Sequence, residues 1–155
     1  MTLRGATSAD LPAMARLHAA SFAPAWDEAA LAQLLAAGGQ ALVAGPAGGL
    51  TGFILTRQAA DEVEILTITV DTTARRSGVG RALVEAATRA HAASRMFLEV
   101  ASGNVAARAL YSSLGFVKTG ERKAYYHPPG GLPEDALILV AALPLYGLGK
   151  VAGVD

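Results

Sequence analysis

The chain contains no cysteine in 155 residues. Disulfides, a thiolate nucleophile and cysteine-based zinc sites are thereby excluded. Its three histidines, His18, His91 and His127, stand too far apart in sequence to form a local metal motif, and no metal is expected. Charge is sparse and balanced, thirteen basic residues against thirteen acidic. A sequence-independent nucleic-acid binder needs a basic face, so no direct nucleic-acid partner is expected, nor an acidic macromolecule met by bulk charge. No apolar run approaches the ~20 residues of a membrane span, and Met1 to Ala6 lacks the apolar core of a signal peptide. These absences predict a soluble, cytoplasmic protein with no membrane partner.

Apolar side chains are plentiful instead: 52% of the residues are hydrophobic, enough for the core of one domain. Leu3 to Thr7 reads as a strand, and Ser8 or Asp10 can cap a helix running to about Ala20. Asp27 can cap a second helix, stopped by Gly38-Gly39. Strands follow at 40–44, 50–57 and 63–70, then a helix at 79–91, a strand at 95–100 and a helix at 105–114 ending on Gly115. Strands at 116–126 and 136–143 close the pattern around a Pro/Gly-rich segment. Helices on both sides of a strand-rich middle predict a single α/β domain over 1–143, a mixed, mostly antiparallel sheet of six to seven strands with helices on both faces. Residues 144–155, with three glycines, read as a loosely attached tail.

The most informative stretch joins the strand ending at Val70 to the helix beginning at Val79. It carries Arg75-Arg76-Ser77-Gly78-Val79-Gly80-Arg81, an Arg-x-x-Gly-x-Gly loop. A glycine-bearing loop before a helix aims backbone N–H groups at one spot, where the helix dipole favours negative charge. Gly78 and Gly80 can adopt strained dihedrals and admit phosphates close to the backbone, while Arg75, Arg76 and Arg81 add countercharge. A P-loop would end Gly-Lys-Ser/Thr, and this one ends Gly80-Arg81-Ala82. A dinucleotide fingerprint needs a third glycine where this chain has Leu83. Both nucleotide readings fail, and a pyrophosphate site remains.

Other residues carry chemistry or structure. Glu99 interrupts the apolar strand Met96-Phe97-Leu98-Glu99-Val100, where a charge needs either a role or open solvent. Glu64 alternates with Glu62, the pattern of a solvated strand face. Tyr111 lies between Leu110 and Leu114 and reads by pattern as core; Asn104 reads as an N-cap. Trp26 and Leu31 flank Asp27 as a hydrophobic staple, and Tyr125-Tyr126-His127 form an amphipathic run.

The ordered set of strand, pyrophosphate loop, helix, Leu98-Glu99-Val100 strand, Asn104 helix and Leu110-Tyr111-Ser112-Ser113-Leu114-Gly115-Phe116 resembles the GNAT acetyltransferases. Within that family, Leu98-Glu99-Val100, the Asn104 helix and Tyr125-Tyr126 resemble the RimI-type ribosomal-protein-alanine N-acetyltransferases. The likeness runs from about residue 2 to 143 and is dense from 62 to 126. It implies a GNAT fold and acetyl-CoA as cosubstrate, with its pyrophosphate held by Arg75 through Arg81. It implies backbone contacts from Ile68, Thr69 and Val70, and a further contact from Asn104. It assigns Glu99 as general base, with Glu64 in reserve, and Tyr111 as general acid to the departing thiolate. Trp26, Tyr125 and Tyr126 would border the acceptor groove.

The resemblance departs at several places, among them an Ala25 inserted between Pro24 and Trp26 and the Pro/Gly-rich segment from His127 to Asp135. Branch relatives carry a basic residue directly after Leu-Glu-Val, where this chain has Ala101, and Ser-Asn where it has Gly103-Asn104. The implied activity is direct acetyl transfer to the α-amine of a protein N-terminus, by resemblance that of a small-subunit ribosomal protein. Acetylation of a small amine (polyamine, amino acid or aminoglycoside) is the first alternative. A noncatalytic acyl-CoA-binding module is the second, and Glu99 with Tyr111 speaks against it, since a pure binder needs neither.

Overall fold

The alternating apolar residues of the central strands separate into two cores, one on each face of a single sheet. The computed structural model describes residues 1–145. In chain order its elements are β1 (Leu3–Gly5), α1 (Leu11–Ser21), α2 (Glu28–Ala36), β2 (Gly39–Ala44), β3 (Gly52–Ala59), β4 (Glu62–Val70), α3 (Val79–Ala90), β5 (Arg95–Ala101), α4 (Val105–Ser113), β6 (Val117–Tyr126) and β7 (Glu134–Ala142). The strands lie in the order β1-β2-β3-β4-β5-β7-β6, and only β4 and β5 run parallel. This is the mixed, mostly antiparallel sheet that the sequence predicts.

One core lies under α3 and α4 and holds Leu83, Val84, Met96, Leu98, Tyr111 and Leu114. The other lies under α1 and α2 and holds Met14, Leu31, Phe53 and Leu55. Within β3, Ile54 enters the first core and its neighbours Phe53 and Leu55 the second, the period of two that strand geometry imposes. The helix ends are set locally. The Asp27 carboxylate accepts the Ala30 N–H at 2.8 Å, and the Asn104 carbonyl accepts that of Ala107 at 3.2 Å. Gly115, at φ +93°, turns the chain out of α4 so that Phe116 packs back onto it. Asp10 is buried, and Arg4 grips both its oxygens at 2.8 Å, tying β1 to the start of α1.

β4 carries the feature that shapes the site. Leu55 pairs with Thr67 but Thr56 pairs with Ile65, so Leu66 is a bulged residue. Before it, Val63 and Ile65 face the α3/α4 core; after it, Ile68 and Val70 do, while Leu66 packs under α1 and α2. One extra residue has exchanged the faces of the strand. β4 also pairs with β5 only from Glu62 to Glu64, opposite Arg95 to Phe97. Beyond that the two parallel strands part, leaving the distal half of β4 unpaired on its β5 side. The expected tail begins at 144, yet Leu145 is buried in the α3/α4 core; its remainder, 146–155, lies outside the described residues.

Candidate active site

The loop between β4 and α3 is braced by its own side chains. Asp71 accepts the N–H and hydroxyl of Thr73 at 3.0 and 2.9 Å, and these bonds hold its carboxyl below the ordinary value. Ser77 Oγ donates to the carbonyl of Ala74. Arg76 at φ +65° and Gly78 at φ +88° then curl the backbone into the left-handed region. Gly78 is the N-cap of α3 and supplies no side-chain acceptor, so the first-turn N–H groups of Val79, Gly80 and Arg81 lack helical partners. A carbon placed on Gly78 as a side chain would meet nothing within 4 Å. The loop is a concave row of donors facing open space.

Gly80 differs from the expectation. It lies inside α3, outside the left-handed region, and a side-chain carbon there would stand 3.2 Å from Leu110 Cδ2. Its smallness therefore serves the packing of α3 against α4. Val79 is buried in the core and offers only its backbone to the loop. The cations are also arranged unevenly. Arg81 reaches Ser113 Oγ at 2.7 Å and Glu85 at 3.7 Å, bracing α3 against α4. Arg75 spans 3.4 Å to the Val70 carbonyl and 3.4 Å to Ser21 Oγ, along one side of the loop. Next to it a cavity of about 460 Å³ opens between α1, Gly48–Thr51 and Val70–Thr72.

Ile68, Thr69 and Val70 form the unpaired half of β4, so their backbone groups on the β5 side line the opening. Thr69 Oγ1 is the one buried side-chain polar atom among the described residues with no hydrogen-bond partner. Glu99 sits on β5 just past the point where pairing with β4 ends. Its neighbours Leu98 and Val100 are buried under α3 and α4, so strand alternation turns Glu99 to the opposite face. There its carboxylate forms an ion pair with Arg122 Nε on β6 at 3.1 Å. Glu64 instead pairs with Arg57 at 3.4 Å and Glu62 with Arg95 at 2.7 Å, the solvated strand face that their alternation predicts.

Tyr111 lies in the α3/α4 core. It is 3% exposed, and burial pushes its phenol far above the ordinary value. Glu99 and Tyr111 thus lie on opposite faces of the sheet. Asn104 is exposed and caps α4. Tyr125 and Tyr126 meet edge to face with ring centroids 5.3 Å apart, and the Arg122 guanidinium lies 5.2 Å from the Tyr125 ring. Burial, and after it the charge of Glu99, raises the Tyr126 phenol.

Trp26 packs with Leu31 in the α1/α2 core, as a staple would, but its main partner is another residue. Its ring stacks on His18 at 4.9 Å, and its backbone N–H donates to His18 Nδ1 at 3.0 Å. Sequence reasoning missed Arg122 because its partner is distant in the chain, and His18 because its contact with Trp26 spans the loop between α1 and α2 and follows no helical spacing. Among the described residues no group of three His, Asp or Glu could hold a metal. No helix of the described chain is long and apolar enough to cross a membrane.

Comparison with known proteins bears on this geometry. Residues 11–116 match the acetyltransferase (GNAT) family. An Escherichia coli protein named ribosomal protein bS18-alanine N-acetyltransferase is 39% identical over 101 residues, covering 63% of this chain and 66% of the relative, just under two thirds of its length. A Mycobacterium tuberculosis protein named N-alpha-acetyltransferase RimI is 34% identical over 137 residues, 84% of this chain and 87% of the relative. The crystal structure of the Escherichia coli ribosomal-protein-S18-alanine N-acetyltransferase superimposes with a TM-score of 0.83 at 31% identity, covering 92% of this chain and 93% of that one.

Proposed function

The chain belongs to the acetyltransferase (GNAT) family, and from that membership we propose that it transfers acetyl from acetyl-CoA to the α-amine of a protein N-terminus. The favoured acceptor is the alanine-started end of a small-subunit ribosomal protein, met in the cytoplasm. The relatives named for that reaction support this reading over small-amine acetylation or noncatalytic binding.

The residues present fit acetyl-CoA. Unpaired N–H groups at the start of α3 and the open space beyond Gly78 suit a pyrophosphate, with Arg75 and Arg76 as countercharge. The free edge of β4 at Ile68, Thr69 and Val70 offers backbone donors and acceptors to the amides of the pantetheine arm. Asn104, at the start of α4, adds a polar contact. When bound, acetyl-CoA supplies a thioester with an electrophilic carbonyl carbon.

Glu99 takes a proton from the incoming α-ammonium, directly or through water. At pH 7 that costs about 1 kcal/mol for an α-amine of pKa near 8, against about 4 to 5 kcal/mol for a lysine near 10.4. A β4 backbone N–H steadies the oxygen of the tetrahedral intermediate. Tyr111, protonated at neutral pH, gives its proton to sulfur as the carbon–sulfur bond breaks, the carbon–nitrogen bond having formed when the amine attacked the carbonyl carbon. Of the two protons the nitrogen sheds, one leaves through Glu99 and the other replaces the one Tyr111 gave. Trp26, Tyr125 and Tyr126 border the acceptor's approach.

The observation that carries this reading is the Glu99 carboxylate on β5, just past the point where pairing with β4 ends. The test incubates the protein with acetyl-CoA and either an alanine-started peptide or a blocked lysine-only peptide, and locates acetyl by mass spectrometry. Acetylation of the α-amine with little on lysine is expected. Faster acetylation of polyamines or aminoglycosides than of every N-terminal peptide would overturn the acceptor assignment.

A further inference from the structure

We propose that Arg122 is a positioning residue for acetyl transfer, holding the Glu99 carboxylate in one orientation on its face of the sheet from the β7–β6 side of β5. The inference rests on Glu99 as the base. It begins with strand register: Ala101 on β5 pairs with Ala136 on β7, and Ala136 with Arg122 on β6. Two methyl groups in that row leave a clear path over the sheet, along which the guanidinium crosses to Glu99 at 3.1 Å.

Arg122 has other acids within reach of its strand, and they are engaged elsewhere. Glu121 is held by Lys118 at 3.2 Å and Lys123 at 3.0 Å, and Asp135 by Lys123 at 3.4 Å and the Ala124 N–H at 2.8 Å. The Tyr125 ring supports the guanidinium from a second direction at 5.2 Å. An exposed ion pair of this kind contributes little to stability, so its geometry matters more than its strength. Among the described residues no hydrogen bond is donated to either oxygen of Glu99. The carboxylate is therefore steered by charge while its lone pairs stay open to a proton. A base whose orientation is fixed by a third group is a recurrent arrangement for activating a nucleophile.

The test compares Arg122→Ala, Arg122→Lys, Glu99→Gln and the Arg122→Ala/Glu99→Gln double variant, each with melting temperature, KM for acetyl-CoA and kcat. Removing Arg122 should lower kcat by about tenfold, the lower end of the range seen when orienting partners behind a reactive group are lost. KM for acetyl-CoA and melting temperature should hold, and Arg122→Lys should recover part of the rate. In the Glu99→Gln background, Arg122→Ala should cost nothing further, because the group it steers is gone. Equal fold-losses in both backgrounds, or a wild-type kcat in Arg122→Ala beside a slow Glu99→Gln, would overturn the positioning role and leave the base standing. A wild-type kcat in Glu99→Gln would remove the base itself, and this proposal with it.

Discussion

Tyr111 and Phe116 meet edge to face, ring centroids 5.3 Å apart, across the turn made by Gly115, and the Phe116 N–H donates to the Tyr111 carbonyl at 3.0 Å. The Tyr111 ring is therefore accounted for by packing, and its hydroxyl is the separable part. Tyr111→Phe keeps the ring contact and deletes only the proton donor. Turnover should fall by about 10²-fold, the lower end for loss of a general acid, with melting temperature nearly unchanged. A variant that is fully active would make Tyr111 a core residue alone.

Glu99→Gln preserves shape and removes basicity. At saturating substrates the rate should drop by roughly 10²-fold or more. Acetyl-CoA affinity measured by calorimetry should barely move. Turnover near wild type would favour Glu64 or unaided water, although Glu64 is already paired with Arg57.

The two loop glycines should respond differently to valine. Gly78→Val meets no neighbouring atom but forces a β-branched residue to φ +88°, a strain of about 1–3 kcal/mol, so the protein should still fold, with a lowered melting temperature, while acetyl-CoA binding weakens at least tenfold. Gly80→Val drives a side chain into Leu110, a clash expected to cost about 1–3 kcal/mol of stability. Calorimetry of acetyl-CoA binding to the folded variants separates the two outcomes. Unchanged affinity in folded Gly78→Val would discount the loop as the pyrophosphate site.

A pH effect on stability follows from two histidines. His91 Nδ1 lies 3.1 Å from Gln58 Oε1, which only accepts, so the proton sits there and Nε2 accepts from Thr56 Oγ1 at 2.8 Å. His18 Nδ1 accepts the Trp26 N–H at 3.0 Å. Burial lowers both from the ordinary 6.5. As pH falls below about 6.5 the unfolded chain binds protons that the folded chain refuses, so stability is complete above that pH and declines toward the folded values. Urea midpoints should be lower at pH 5.5 than at 7.5, and His91→Gln should flatten that slope. Equal midpoints for the wild type would count against the assignment.

The elements were legible because their signals are local. Asp27 and Asn104 cap where the sequence places them, Gly115 ends α4, and Gly78 takes the left-handed turn that the loop requires. What was not legible depends on register between distant strands. Arg122 reaches Glu99 only because β7 lies between β5 and β6, an order that no periodicity announces. Asp10 reads as a cap, yet its main partner is Arg4, whose guanidinium, helped by the N–H and hydroxyl of Thr7, lowers the Asp10 carboxyl to about 2. Gly80 belongs to a motif for one reason and is held to it by another, the approach of Leu110.

The bulge at Leu66 makes β4 two half-strands spliced out of phase. Burial alternates without interruption from Val63 to Thr69, so a hydropathy trace registers no seam. The proximal half is bound on both edges and fixes the sheet, whereas the distal half answers to β3 alone on its pairing side. Selection can therefore retune the free half without re-indexing the half that holds the fold. Drawing Leu66 into the ladder opposite Leu55 would instead transpose Ile68 and Val70 with Thr67 and Thr69, setting hydroxyls against α3 and α4 and greasing the side now lined by threonine.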